Sequence, residues 1–235
     1  MPLVTAHLIN KAYYRDEFKL FIVYGPLGIG KSAYALKVAK EVYDDWDTVK
    51  NHIVFHPEDF VARCLSMSEK GKRDKVLVWD DAGLWLFAMD FTNPFIKAIL
   101  KYMNVARTNW GALILTTPTP TWVLYKMRTF PQTINIKITK MESGDTPGHT
   151  TPRRMRIARA YRSWVAPDFK KQGVRTIYED HYDAMLPNDL FWNWYKPLRD
   201  SYAKQAAQLM QSELNKVSEK IAKKAEKIVE AIIET

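Results

Sequence analysis

Short apolar runs alternate along the first 140 residues with segments whose apolar positions recur every three or four places. Residues 19–24 (KLFIVY) form a run that stops at glycine, the pattern of a buried strand. Ala35, Val38, Ala39 and Val42 fall on one face of a helix predicted over 31–42. HIVF at 52–55 reads as a second strand. Pro57 then opens a helix that ends near Gly71, with Glu58 and Asp59 where negative charge suits the helix dipole. KVLVW at 75–79 is a third strand, ending on Asp80 and Asp81. Pro94 starts a helix predicted to reach about Ala106, and ALIL at 112–115 is a fourth strand, ending on Thr116 and Thr117. A helical or irregular stretch leads to Arg128, and QTINIKITK at 132–140 alternates as a fifth strand. Strands alternating with helices imply an α/β fold, a largely parallel sheet sandwiched by helices.

The pattern changes at 142–152, where SGDTPGHTTP signals a turn or flexible loop. Residues 154–164 and 174–179 read as two strands, a hairpin closed around 167–173. From Pro187 the chain is helical in pattern. Met210, Leu214, Val217, Ile221, Ala225, Ile228 and Ile232 are spaced 4, 3, 4, 4, 3, 4, an apolar stripe on one side of a nearly straight helix. Pro197 marks either a kink or the true start of that helix, and LFWNWY at 190–195 reads as a packing plug. The expected division is a core at 1–141, a basic hairpin at 142–186 and a terminal helix at 187–235.

Charge narrows the field of partners. The 235 residues carry a formal +9, with a pI near 9.4, a balance that suits a polyanion. The single cysteine, Cys64, allows no intrachain disulfide and reads as a core filler in a reducing cytosol. No apolar run is long enough for a membrane span and the N-terminal residues lack a signal pattern, so a soluble cytoplasmic protein without a membrane partner is expected. His52, His56, His149 and His181 lack a metal-ligand spacing.

The chemistry concentrates between the first strand and the first helix. Gly25-Pro26-Leu27-Gly28-Ile29-Gly30-Lys31-Ser32 matches G-x-x-x-x-G-K-S in full. Three glycines let successive N–H groups face inward, and the cradle, Gly25 to Ala33, ends at a helix N-terminus that favours an anion. Lys31 is placed for the β- and γ-phosphates of ATP, and the Ser32 hydroxyl for Mg²⁺. VLVWDDAG then carries Asp80 to a strand end, where a carboxylate can hold the Mg²⁺ shell. LILTT resembles the sensor strand of P-loop ATPases, which implies that Thr116 or Thr117 senses the γ-phosphate and bonds the attacking water; a simple turn before Pro118 is the alternative.

These motifs, with NVARTNWGALILTTPTP after them, resemble P-loop ATPases of the additional-strand class, relatives of the AAA+, RecA and FtsK/HerA proteins. WDDAG, PNDLFWNWYKPLRDSY and the charged terminal helix are similar to ATPases of archaeal spindle-shaped viruses and plasmids. The resemblance implies a nucleic-acid-directed ATPase in replication, genome maintenance or packaging. It gives Asp81 the role of polarising the attacking water, although the family usually has Glu there. It implies a homo-oligomer in which an arginine reaches a neighbour's phosphates. Arg107 and Arg128 are the candidates, with ordinary salt bridging the alternative for each. Neither an AAA+ second sensor nor an initiator helix-turn-helix is evident. A nucleotide-gated DNA-binding switch with slow hydrolysis is the alternative function, and nothing resembles the acceptor lid of a small-molecule kinase.

Arg153, Arg154, Arg156, Arg159, Arg162, Lys170, Lys171 and Arg175 stand against one acid, Asp168, with Tyr161 and Trp164 interleaved. Arg154, Arg156 and Arg162 share parity on a strand and could meet a DNA backbone. The alternative is a solvated hairpin whose charges block strand addition.

Overall fold

The computed structural model describes residues 2–90, 92–141, 154–165 and 172–233, with backbone alone at 165, 172, 220 and 222–233. The loop expected at 142–152 lies outside the described residues, as does most of the hairpin closure. The chain forms two compact units, Met1–Met185 and Leu186–Thr235.

The first unit runs α1 (Val4–Tyr14), β1 (Lys19–Tyr24), α2 (Lys31–Tyr43), α3 (Trp46–Lys50), β2 (Ile53–Val54), α4 (Pro57–Glu69), β3 (Asp74–Trp79), α5 (Pro94–Tyr102), β4 (Trp110–Thr117), α6 (Tyr125–Arg128), β5 (Thr133–Lys140), β6 (Met155–Val165) and β7 (Gln172–Asp183). All seven strands join one sheet in the order β2-β3-β4-β1-β5-β6-β7. The first five are parallel, and β6 and β7 continue the sheet antiparallel. β1 lies between β4 and β5, and Leu20 to Val23 are fully buried there. This is why KLFIVY reads as a continuous apolar run: both faces of a central parallel strand are covered.

One core packs Leu20, Ile22, Leu77, Trp79, Leu113 and Leu115 with Phe60 of α4, Ile96 and Ile99 of α5 and Met127 of α6. Phe60 stacks on Trp79 with ring centroids 4.5 Å apart. α2 meets β3 and β4, with α1 packed against α2 and β4.

Three elements depart from the sequence reading. α1 has no capping residue of its own: its N-cap is Leu3, without a side-chain bond. Asp180 of β7 supplies the cap instead, accepting from Val4 N at 2.7 Å and Thr5 N at 3.2 Å. Second, α5 stops at Tyr102, and a 3-10 turn at Ala106–Thr108 completes the link to β4. Third, the hairpin is no appendage to the core. Asn135 to Lys140 of β5 pair with Tyr161 to Arg156 of β6, so the first compact unit extends through the hairpin to Met185.

The second unit contains α7 (Asn188–Leu190), a π-helical turn (Phe191–Tyr195) and α8 (Lys196–Ile233). Pro197 has no N–H to give and its ring crowds the carbonyl four residues back; the wide turn just before it accommodates both. Met210, Leu214, Val217 and Ile221 of the stripe are exposed. Among the described residues no helix is long and apolar enough to cross a membrane.

Candidate nucleotide-binding site

The loop from Gly25 to Gly30 leaves the C-terminal end of β1, where the strand order reverses, the position at which open α/β sheets bind ligands. Gly28 (φ 74°) and Gly30 (φ 105°) adopt left-handed backbone that other residues enter at a cost. Gly25 is fixed by contact as well: a Cβ there would lie 2.9 Å from the Ile138 carbonyl oxygen. Leu27 at the loop's tip is exposed, whereas Ile29, Lys31 and Ala33 are buried. The first intrahelical bond of α2 runs from Tyr34 N to the Gly30 carbonyl at 3.0 Å. The N–H groups of Lys31, Ser32 and Ala33 precede it, the donor set that a helix start offers an anion.

Lys31 is only 6% exposed, and its ammonium donates to the carbonyls of Gly25 (3.0 Å) and Pro26 (3.1 Å). Its charge is thereby held over the loop. Asp80 is fully buried at the end of β3. Its Oδ1 accepts from Ser32 Oγ at 2.9 Å and from Thr116 Oγ1 at 2.6 Å. Three residues far apart in sequence thus meet at one carboxylate oxygen. An all-oxygen donor set of this kind suits Mg²⁺, a hard cation, so Ser32 and Asp80 fit the ion expected of them.

Asp81 follows in left-handed conformation (φ 50°), and its N–H donates to Thr116 Oγ1 at 2.8 Å. The two threonines, adjacent in β4, do different things. Thr116 bridges Asp80 and Asp81, while Thr117 donates to the Thr119 carbonyl at 3.0 Å. Gly83 packs on Thr117 so closely that a Cβ would fall 2.2 Å from its hydroxyl. The strand carrying these threonines lies between β1 and β3, the inserted position.

The observed architecture is a mostly parallel α/β sheet flanked by helices, ordered β5-β1-β4-β3-β2 through its parallel part, with the glycine-rich loop after β1 and Asp80 after β3. No family model matches the chain. Two archaeal virus proteins are sequence relatives. The B-251 protein of Sulfolobus spindle-shape virus 1 is 27% identical over 128 residues, covering 51% of each chain. The ORF286 protein of Acidianus two-tailed virus is 31% identical over 116 residues, 48% of this chain and 41% of its own length. The chain therefore spans about half the length of these curated relatives. Among solved structures, the N-terminal domain of zonular occludens toxin from Neisseria meningitidis aligns at TM-score 0.37 and 13% identity, over 74% of this chain and 96% of that one. The genome packaging NTPase B204 of Sulfolobus turreted icosahedral virus 2, solved with ATP-gammaS, aligns at TM-score 0.34 and 13% identity, over 66% and 96%.

The hairpin reaches the P-loop directly, which no local sequence signal announced. Tyr182 Oη donates to the Gly30 carbonyl at 2.9 Å, and Arg156 Nε to the Ile29 carbonyl at 2.9 Å. Behind them the Tyr34 hydroxyl donates to Asp180 Oδ2 at 2.6 Å, and Thr5 Oγ1 bonds Tyr34 Oη (2.6 Å) and Tyr178 Oη (2.7 Å). Burial, then the nearby Tyr178 and Asp180, pushes the Tyr34 phenol well above its ordinary range. Burial does the same for Tyr178 and Tyr182.

The remaining cations fall into separate places. Arg156 and Arg162 are six residues apart on β6, and Ala158 and Ala160 between them are buried, so the expected basic ribbon is interrupted. Arg159 pairs with Glu179, and Arg154 is exposed near the P-loop end. Arg162 and Arg175 sit opposite each other at the other end of the hairpin. Arg107 precedes β4, at the end of the sheet where β1 begins, and bonds Asp16. Arg128, in α6, places its guanidinium 5.6 Å from the Tyr125 ring centroid. Arg153, Lys170 and Lys171 lie outside the described residues.

Proposed function

We propose that the chain binds and hydrolyses ATP with Mg²⁺ and couples this to nucleic acid, as an oligomeric motor or remodeller in replication or packaging of a viral or plasmid genome. One observation carries the catalytic part: Ser32 Oγ and Thr116 Oγ1 converge on one oxygen of the buried Asp80, beside a loop whose lysine and helix start are arranged for phosphate. Magnesium bound there would neutralise charge on the β- and γ-phosphates. Lys31 would leave its carbonyl partners for the phosphates, and Asp81 would orient water for in-line attack. The additional-strand order supports reading Thr116 as the residue linking metal and water sites. The archaeal viral relatives support the genomic setting, and the basic balance supports a polyanionic partner.

The trans arginine would be Arg128 or Arg107. The exposed stripe of α8 supports self-association, which mass in solution with and without ATP would read.

Phosphate release from ATP tests the core of the proposal. Lys31→Ala and Asp80→Asn should each lower turnover by at least about a hundredfold, the scale of removing one electrostatic stabiliser. Unchanged rates in both would sink the ATPase. A second reading, a nucleotide-gated switch with slow turnover, is favoured by the hairpin's bonds to Ile29 and Gly30, which would pass any shift of the loop into β6 and β7. Strong stimulation of single-turnover hydrolysis by DNA favours the motor; slow, DNA-indifferent hydrolysis with ATP-dependent DNA binding favours the switch.

A further inference from the structure

At the end of the sheet where β1 begins, opposite the P-loop, three hollows of about 430, 790 and 470 Å³ adjoin one another. Phe130 lines all three, and Arg162 stands at the junction of two, its Nη2 donating to the Pro131 carbonyl at 3.2 Å. Together they form a trough. Eight cationic side chains line it: Lys97, Lys101 and Lys126 in the first hollow, Arg128, Arg162 and Arg175 in the second, Lys19 and Arg107 in the third. The two lining carboxylates, Asp16 and Glu17, are confined to the third, where they pair with Arg107 and Lys19. Among the described residues no carboxylate pairs with the six cations of the other two hollows.

Aromatic faces accompany the charge. Trp164 is 42% exposed and Tyr125 68% exposed on the wall of the largest hollow. The indole lies flat on β7: a Cβ at Gly173 would sit 2.9–3.0 Å from three of its ring atoms. Glycine at 173 thus fixes one face of the ring and leaves the other to the hollow. The Arg128 guanidinium lies over Tyr125, and its Nε has no hydrogen-bond partner among the described residues.

Unpaired cations around an aromatic-walled trough match a chain that presents phosphates on one side and flat π faces on the other. A duplex hides its base faces in its stack; a single strand does not. We propose that this trough binds a single strand of nucleic acid. Lys97, Lys101, Lys126, Arg162 and Arg175 would neutralise phosphates, and bases would stack on Trp164 and Tyr125. The inference rests on the proposed nucleic-acid-directed activity and assigns it a surface distinct from the hairpin end that touches the P-loop.

Fluorescence anisotropy of a labelled mixed-sequence single strand, and of a duplex of the same length, tests it across a salt series. The full chain should bind the single strand more tightly. Arg162→Ala with Arg175→Ala should weaken binding at least about tenfold and flatten the log–log salt slope by about 1.4, two phosphate contacts. Trp164→Ala should weaken it about tenfold without changing the slope. Arg154→Ala, at the hairpin's other end, should bind as the unaltered chain does, and all variants should keep their ATP turnover without nucleic acid. Equal or tighter duplex binding overturns the single-strand assignment. Normal binding by the trough variants overturns the trough while leaving the proposed activity standing. Loss of ATP-dependent self-association in the Arg162/Arg175 variant, with nucleic-acid binding intact, overturns it in favour of a contact between copies. Failure of the unaltered chain to bind either nucleic acid removes the nucleic-acid activity itself and the trough with it.

Discussion

Thr116 is the residue on which both acids of the candidate site depend. Its hydroxyl gives its hydrogen to Asp80 and takes one from the Asp81 amide. Thr116→Val keeps the shape and deletes both bonds, leaving a buried amide and a buried carboxylate each short of a partner. Such a change costs about 1–3 kcal/mol. Denaturant unfolding should show that loss. Because the hydroxyl fixes the left-handed turn at Asp81, turnover should also fall, with kcat more affected than KM. Thr117→Val, which loses a single bond to the Thr119 carbonyl, should leave kcat near its original value. At this scale the positions were legible: the sequence put the octet after the first strand and Asp80 at the end of the third, and the structure brings Ser32 Oγ to 2.9 Å from the Asp80 carboxylate. Which threonine meets the carboxylate was not legible, since adjacent strand residues face opposite ways and only register decides between them.

At the scale of elements, the hairpin braces the P-loop. Tyr182→Phe removes one donor from the Gly30 carbonyl while preserving the ring that packs against Tyr34 at 4.9 Å. We expect a stability loss of about 1 kcal/mol and weaker nucleotide binding, seen as a raised KM with kcat little changed. A KM equal to that of the unaltered chain would mean that the brace is structural only. Strands β1, β3, β4 and β5 were readable because each is a self-contained apolar pattern. α1 was not, although Ala6, Ile9 and Ala12 already mark a buried face. Its start signal is missing from its own sequence and sits in β7. Nor could composition tell that Arg156 serves the phosphate loop while Arg162 faces a distant trough. Both are arginines on one strand, and the buried alanines between them part their environments.

For the whole molecule, buried phenols make stability sensitive to alkali. Tyr34, Tyr178 and Tyr182 have folded-state pKa values raised by burial, above the ordinary tyrosine value of about 10. A raised acid holds its proton in the folded state after the unfolded chain has released it. The stability this contributes is fully present below about pH 10 and is lost as pH rises from there through the folded values, at up to about 1.4 kcal/mol per pH unit for each phenol. Urea midpoints measured on both sides of pH 10 should fall steeply on the alkaline side, and Tyr178→Phe should reduce that slope by one phenol's share, up to about 1.4 kcal/mol per pH unit. A flat profile would mean that these phenols ionise freely in the native protein.

The cap on α1 has a consequence for how the chain is made. The carboxylate that closes the N-terminus of α1 is translated 175 residues after Thr5, and the hydroxyl that steadies Gly30 comes 152 residues after that glycine. Nascent chains ending before Asp180 carry the complete G-x-x-x-x-G-K-S loop without its brace. Long-range closure of this kind is slow and comes late. The loop between β1 and α2 therefore gains its brace only when β7 docks on the sheet.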